Sequence, residues 1–416
     1  MDRLYNKLFK YSATFLETSF SLMQLQLIIG FDKFKKEIEI LSILEIKLVK
    51  FIDCPQEKNN RKLEKLKEFF NGNLIQQNYY TYEGLLRLLN QLSLNRPILK
   101  VYFDKVFLIL EMLIKEFSLQ QIFETETIFS FFRDNKIVLR FLLENHIIEY
   151  QLLHQHLLFQ DGSWLYYFFP EIKQNILTYF ENKKCREDIK KYEDNLEDFM
   201  RIRSNIIQED LVIRYIQDDN LNKFIEHVSF TDMPLNKSIS KPIFDHPYFH
   251  KRNYNEITLI EYSMIFGAIK IFKYLMMNKV NITTVSLHYA ILGNNTEIIQ
   301  IIEDQGSFSF DISCLNIAIQ CHHHKLIDYI ISKMEAQNVE INDEDLLLSF
   351  IKNSSYYHLN QFFLESNQEY FLHFTKTAKE LSRCIDSFSM LSFFSYLFSQ
   401  SEYDINEEDE IFICFI

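Results

Sequence analysis

Apolar residues recur along most of this chain at intervals of three and four. Phe34, Ile38, Leu41, Leu44, Leu48 and Ile52 follow that spacing, which places them on one face of an α-helix. Asp32 stands where an N-cap belongs and Pro55 lies just past the end. A second helix is expected over Tyr82–Leu92. Asn95 and Pro97 then open a longer one through Val101, Phe103, Val106, Leu110 and Ile114. The strict apolar–polar alternation of a half-buried strand is nowhere convincing.

Three segments align without gaps: TLIEYSMIFGAIKIFKYL at 258–275, VSLHYAILGNNTEIIQII at 285–302 and SCLNIAIQCHHHKLIDYI at 313–330, offset by 27 and 28 residues. Each predicts a helix–turn–helix unit. The first helix carries an apolar third residue (Ile260, Leu287, Leu315) and a small sixth one (Ser263, Ala290, Ala318). Small residues there let neighbouring helices approach closely enough to stack. Turns follow at Gly267–Ala268, Asn294–Asn295 and His322–His323, and apolar pairs at Ile271–Phe272, Ile298–Ile299 and Leu326–Ile327 mark the second helix. Weaker units are read at 346–363 (Leu348, Ile351, Leu359, Phe363) and 380–397 (Ile385, Phe393, Phe394, Leu397). Asp219–Asn220–Leu221 with Phe224 and Val228 reads as an opening unit, and Ile128–Asn145 as a separate helical hairpin. Residues 229–256, with Pro234, Pro242 and Pro247, form a loop too long for a plain connection.

This register resembles the ankyrin consensus T-P-L-H-x-A-A-x-x-G-H, with Thr258, Gly267, Leu287–His288, Ala290 and Gly306 at the matching offsets. The units are shorter than the consensus of about 33 residues, which leaves little room for projecting β-turns. The stretches LVIRYIQDDNLNKFIEHVS, SISKPIFDHPYF, TLIEYSMIFGAIKIFKYL, SLHYAILGNNTEIIQIIED and CLNIAIQCHHHKLIDYI extend the likeness over roughly 201–331, with FFPEI at 168–172 a fainter match. Together they are similar to the divergent ankyrin-repeat proteins expanded in trichomonad-type protists, which carry a domain of unknown function fused to the repeats. The resemblance implies a protein-interaction role and brings no catalytic residues with it.

Composition narrows the chemistry. The chain has seven glycines among 416 residues, and GxGxxG, GxxxxGK[ST] and GxSxG cannot be written anywhere in it. Nucleotide-cradling loops and nucleophile elbows of the usual kind are therefore not expected. The net charge of −13 opposes a polyanionic partner. The one basic run, Lys183–Lys191, is interleaved with Glu187 and Asp188 and reads as a solvated helix face. Six scattered cysteines, with no CxxC among them, suit reduced thiols in a cytosolic or nuclear setting. No signal-peptide core and no membrane-spanning stretch is read. The final IFICFI follows the acidic Glu407–Glu410 run.

Cys321–His322–His323–His324, with Cys314 before it, has zinc-ligand chemistry, but consecutive side chains diverge and cannot all reach one ion. His154 and His156 diverge likewise on a helix. Asp245, His246 and His250 fall in the long loop, and Ser163 beside Gly162 has no identifiable base.

The reading is an all-α fold: an α-solenoid of divergent ankyrin-type repeats over 205–400, after an irregular helical domain over 1–200 and before a tail over 401–416. The expected function is a protein-binding scaffold or adaptor, cytoplasmic, with no cofactor, metal or nucleic acid and no membrane span. The alternative is a metal-dependent enzyme with its site in the N-terminal helices. The fifth residues of successive units, Tyr262, Tyr289, Ile317 and Phe350, would make an exposed row of anchors for the partner. Alternatively, they pack inward against the N-terminal domain or the 229–256 loop.

Overall fold

The computed structural model describes residues 35–55, 59–160, 162–175, 195–207, 210–240, 256–306, 308–339 and 341–365. Asp32, Phe34, the Lys183–Lys191 run, the Asp245–His250 stretch, the 380–397 unit and the 401–416 tail lie outside them. The fold is all-α. The sole sheet among the described residues is a two-stranded one, β1 (Ser238–Ser240) antiparallel to β2 (Glu256–Thr258), with Ser238 opposite Thr258. It pairs Ser238–Ser240, inside the expected 229–256 loop, with the residues at that loop's far end. Strands of three residues are too short to show as an alternation in the sequence, which is why periodicity missed them.

The N-terminal half is a run of helices, including 35–52, Tyr79–Asn95 and Lys100–Glu116. Asn95 closes the second of these, and Leu99, after Pro97, is the N-cap of the third. The predicted hairpin at 128–145 is present as Thr125–Phe132 and Lys136–Glu144, where the Asn135 side chain caps the second helix by accepting from the Val138 N–H. Buried cations close open backbone in this half. Lys105 donates to the carbonyls of Ile52 (2.5 Å) and Cys54, at the end of the first helix. Arg203 holds Glu171 through two bonds of 2.7 Å and donates to the Tyr167 carbonyl.

The rest is built from helix pairs. Pair I is Leu211–Gln217 with Leu221–Phe230, pair II Leu259–Ile265 with Ile269–Met277, and pair III Ser286–Gly293 with Thr296–Asp304. Pair IV is Ile312–Gln320 with His324–Ala336, and pair V Asp343–Lys352 with Tyr356–Glu365. In every pair the first helix ends on a left-handed residue: Asp219, Gly267, Asn294, His322 and Ser354, with φ between 45° and 64°. Four of these ends close by Schellman bonds, as in Ala268 N–H to Ser263 O (2.8 Å) and His323 N–H to Ala318 O (3.0 Å). Glycine is the cheapest residue for that conformation. With so few glycines the chain uses others, and among the described residues six of the eleven non-glycine cases are Asn, Asp or His (His146, Asp219, Asp232, Asn294, His322, Asn338), the types that tolerate it best.

The left-handed turn also fixes the register. Gly267, Asn294 and His322 are each the tenth residue of their segment, so Ser354 places the start of pair V at 345, not 346. Phe350 therefore occupies the position of Ala290 and Ala318, and the fifth residue of that pair is Ser349.

Packing runs like on like. The first helices of pairs I and II, II and III, and III and IV lie against one another, and so do the second helices of I and II and of II and III. Ser263, Ala290 and Ala318 are fully buried, as their position in the register requires. Ser263 satisfies its own hydroxyl on the Ile260 carbonyl at 2.6 Å. Contact is closest at Gly293, where an added Cβ would lie 1.9 Å from the Met264 carbonyl oxygen and 2.8 Å from that of Ile265.

The described residues fall into two compact units. One holds Lys47–Gln77 and Leu86–Asn342, and so includes pairs I–IV. The other gathers residues 35–46, Asn78–Leu85 and pair V. In it the Tyr356 hydroxyl donates to the Gly84 carbonyl (3.4 Å), and the buried Glu45 carboxylate accepts from the Tyr357 N–H (2.8 Å) at the start of a helix. That favours a carboxylate there, as helix N-termini do.

Two substitutions check the stacking. Ala290→Leu is expected to cost about 1–3 kcal/mol by overpacking. Gly293→Ala should cost at least as much, because its Cβ meets fixed carbonyls and not a mobile side-chain end. Gly72→Ala, where a Cβ meets nothing within 4 Å, serves as the unaffected control in the same denaturant titration.

Candidate functional site

The turns of pairs I–IV form a continuous seam. Asp219 lies in the turn of pair I, and its carboxylate accepts from the Lys270 and Ile271 N–H groups at 3.1–3.2 Å. Those groups open the second helix of pair II, whose own N-cap, Ala268, offers no side-chain acceptor. Asn295 of pair III caps its own helix through Oδ1, which accepts from Glu297 and Ile298, while its Nδ2 donates to the Gly267 carbonyl of pair II at 3.0 Å. His323 of pair IV reaches back to the Leu292 carbonyl of pair III at 3.2 Å. Because a carbonyl only accepts, Nε2 carries the proton in that bond. Outside the seam, Lys273 pairs with Glu297 at 2.5 Å, and Glu303 takes both Tyr329 (2.7 Å) and Lys333 (3.0 Å). Such exposed pairs contribute at most about 1 kcal/mol each.

The histidine and cysteine candidates do not gather at one point, although His322 and His324 bring ring nitrogens within 4.8 Å of each other. Cys321 donates its thiol to the Asn95 carbonyl at 2.9 Å, and burial pushes that thiol up to about 12. His322 supplies the left-handed turn residue, and His323 faces Leu292. His156 lies edge-on between Phe129 (5.4 Å) and Trp164 (5.3 Å), whereas His154 sits over Tyr150. Ser163 is in the first turn of the helix Gly162–Tyr167, and Asp161 lies outside the described residues.

A different trio does converge. The ligand atoms of His288 (first helix of pair III), Asp311 and Cys314 (start of pair IV) all lie within 4.8 Å of one another. Asp311 is the N-cap, accepting from the Cys314 N–H at 2.8 Å, and its Oδ1 stands 3.9 Å from His288 Nε2. Burial alone would raise the Asp311 carboxyl. Hydrogen bonds from Cys314 and the nearby His288 outweigh it and hold the group below its usual value. In sequence, only the D-x-x-C spacing hints at the trio, because His288 joins from another pair.

The proposed row of anchors is not on the surface. Tyr262, Tyr289, Ile317 and Phe350 are 2%, 1%, 2% and 4% exposed. Every residue of Leu259–Ile265 and of Ser286–Leu292 is buried, the polar Glu261, Ser286 and His288 included, so these helices have no outward face. Tyr262 stacks on Phe266, with ring centroids 6.2 Å apart. Within pairs I–IV the two most exposed large apolar residues sit at the far ends of second helices: Phe230 (89% exposed) in pair I and Met277 (83%) in pair II.

His323 gives the seam a pH dependence. Burial, reinforced by Arg96, holds its imidazole well below the ordinary 6.5. Below that pH the unfolded chain binds a proton there that the folded chain does not, so stability is present above about 6.5 and lost as the pH falls. The melting temperature should drop between pH 7 and pH 5, and less steeply in His323→Gln. Parallel slopes for the two proteins would contradict the assignment.

Residues 277–396 match the model of a family described as a domain of unknown function (DUF3447), which takes in pairs III, IV and V. No curated protein and no solved structure matches the chain.

Proposed function

We propose that the chain is a protein-binding scaffold or adaptor, and that pairs I–IV are a short solenoid of ankyrin-type repeats. The observation that carries this is the seam. Four pairs stack first helix on first helix, and side chains in the turns of pairs I, III and IV bond to the neighbouring pair. Such a frame fixes the spacing of its exposed side chains, and this pre-organisation is what a binding surface needs to limit entropic cost. With the first helices buried, the partner is read by the second helices and their ends. Phe230 and Met277, on the last turns of consecutive second helices, are the anchors we assign, since isolated large apolar groups in a polar rim are where binding energy concentrates. The net charge of −13 favours a protein partner over a nucleic acid.

The test is a Phe230→Ser, Met277→Ser double variant. Both side chains are exposed, so its melting curve should match that of the parent chain. Partners captured by the parent chain are purified and titrated against both proteins. A loss of tenfold or more in affinity supports the assignment; equal affinity removes these residues from the interface.

A further inference from the structure

The trio between pairs III and IV has a counterpart one interface earlier. Glu261, Thr283 and Ser286 lie 27, 28 and 28 residues before His288, Asp311 and Cys314, the same offsets that relate the repeats. There, the Ser286 hydroxyl donates to Glu261 Oε1 at 3.3 Å, and the Thr283 N–H donates to Ser286 Oγ at 3.0 Å. This place in the register is thus a polar staple joining the first helices of adjacent pairs. At the next interface all three groups are exchanged together: carboxylate for imidazole, and two hydroxyls for a carboxylate and a thiol. A staple made only of hydrogen bonds does not require that set. Imidazole, carboxylate and thiolate are the three kinds of side chain that bind zinc.

The geometry is close to what an ion needs. Bonds of about 2.0–2.3 Å at tetrahedral angles put ligand atoms about 3.3–3.8 Å apart. The His288–Asp311 separation is 3.9 Å, and all three atoms lie within 4.8 Å, so small side-chain rotations suffice. His288 and Cys314 are buried on the helix side, while the Asp311 side chain is 60% exposed and leaves an open edge for a water as fourth ligand. We propose that His288, Asp311 and Cys314 bind one divalent ion of the zinc class, which clasps pair III to pair IV. The nitrogen and sulfur donors select against magnesium and calcium, which take oxygen.

The experiment uses the full chain, stripped with a chelator and titrated with Co²⁺. Thiolate-to-cobalt charge transfer in the near ultraviolet reports the sulfur ligand, and Zn²⁺ competes the signal away. One equivalent is expected, with a higher melting temperature in the metal-loaded protein. Cys314→Ser should abolish the band, while Cys321→Ser should leave it. Asp311→Asn keeps an N-cap acceptor, so the stripped protein should melt unchanged while Co²⁺ affinity falls tenfold or more. The proposal is overturned by no charge-transfer band in the folded parent chain, by a band that survives Cys314→Ser, or by an Asp311→Asn variant that binds as tightly as the parent.

Discussion

Each inner turn in pairs I, III and IV is asked to do two things at once. It must reverse the chain through a left-handed residue, and it must present a polar side chain to the adjacent pair. Asp219 performs both tasks itself, while Asn294–Asn295 and His322–His323 divide them between neighbours. Stacking depends on this arrangement because the helices of pairs I–III run only seven to ten residues. Helices of that length are marginal alone and need tertiary partners to persist. An end left uncapped, as at Ala268, is completed by the preceding pair, so the pairs are not independent modules.

The scarcity of glycine fits this division of labour. A glycine at the position of Asp219 would relieve backbone strain but supply no carboxylate to the next helix. Gly267 keeps glycine for its left-handed turn, whereas at Gly293 the reason is steric: the Met264 and Ile265 carbonyls occupy the space of a Cβ. The same tight stacking that demands Gly293, Ala290 and Ala318 buries the first helices of pairs II and III on every side. In the proposed binding role, recognition then falls to the second helices, whose outward faces carry charge and, at two of their ends, Phe230 and Met277.

Much of the fold was legible from the sequence because helix–turn–helix repeats write their pattern locally. The 27- and 28-residue offsets located pairs II–IV, and the small sixth residues were correctly buried. What could not be read depended on long-range contacts. Periodicity shows that Tyr262 and Tyr289 lie on a helix but not that the opposite face is covered as well. Phe350 was misaligned by one residue because nothing apolar marks the left-handed Ser354. The joining of residues 35–46 and 78–85 with pair V spans some three hundred residues and leaves no local trace. His288 meets Asp311 and Cys314 only once two pairs are stacked, so no local pattern in the sequence brings the three together.

The claim that turn side chains bind the stack together, beyond shaping their own loops, is tested most directly at Asp219. Its φ of 45° is a conformation in which glycine is normally the more stable residue. If the turn were only a local device, Asp219→Gly would be neutral or stabilising. If its carboxylate caps the next pair, the loss of those bonds to Lys270 and Ile271 outweighs the relief. Equilibrium denaturation of Asp219→Gly beside Asp218→Gly, an exposed neighbour of equal charge, separates the two. The account predicts a loss of about 1–2 kcal/mol for Asp219→Gly, larger than for Asp218→Gly; an Asp219→Gly protein as stable as the parent chain, or more so, would contradict it.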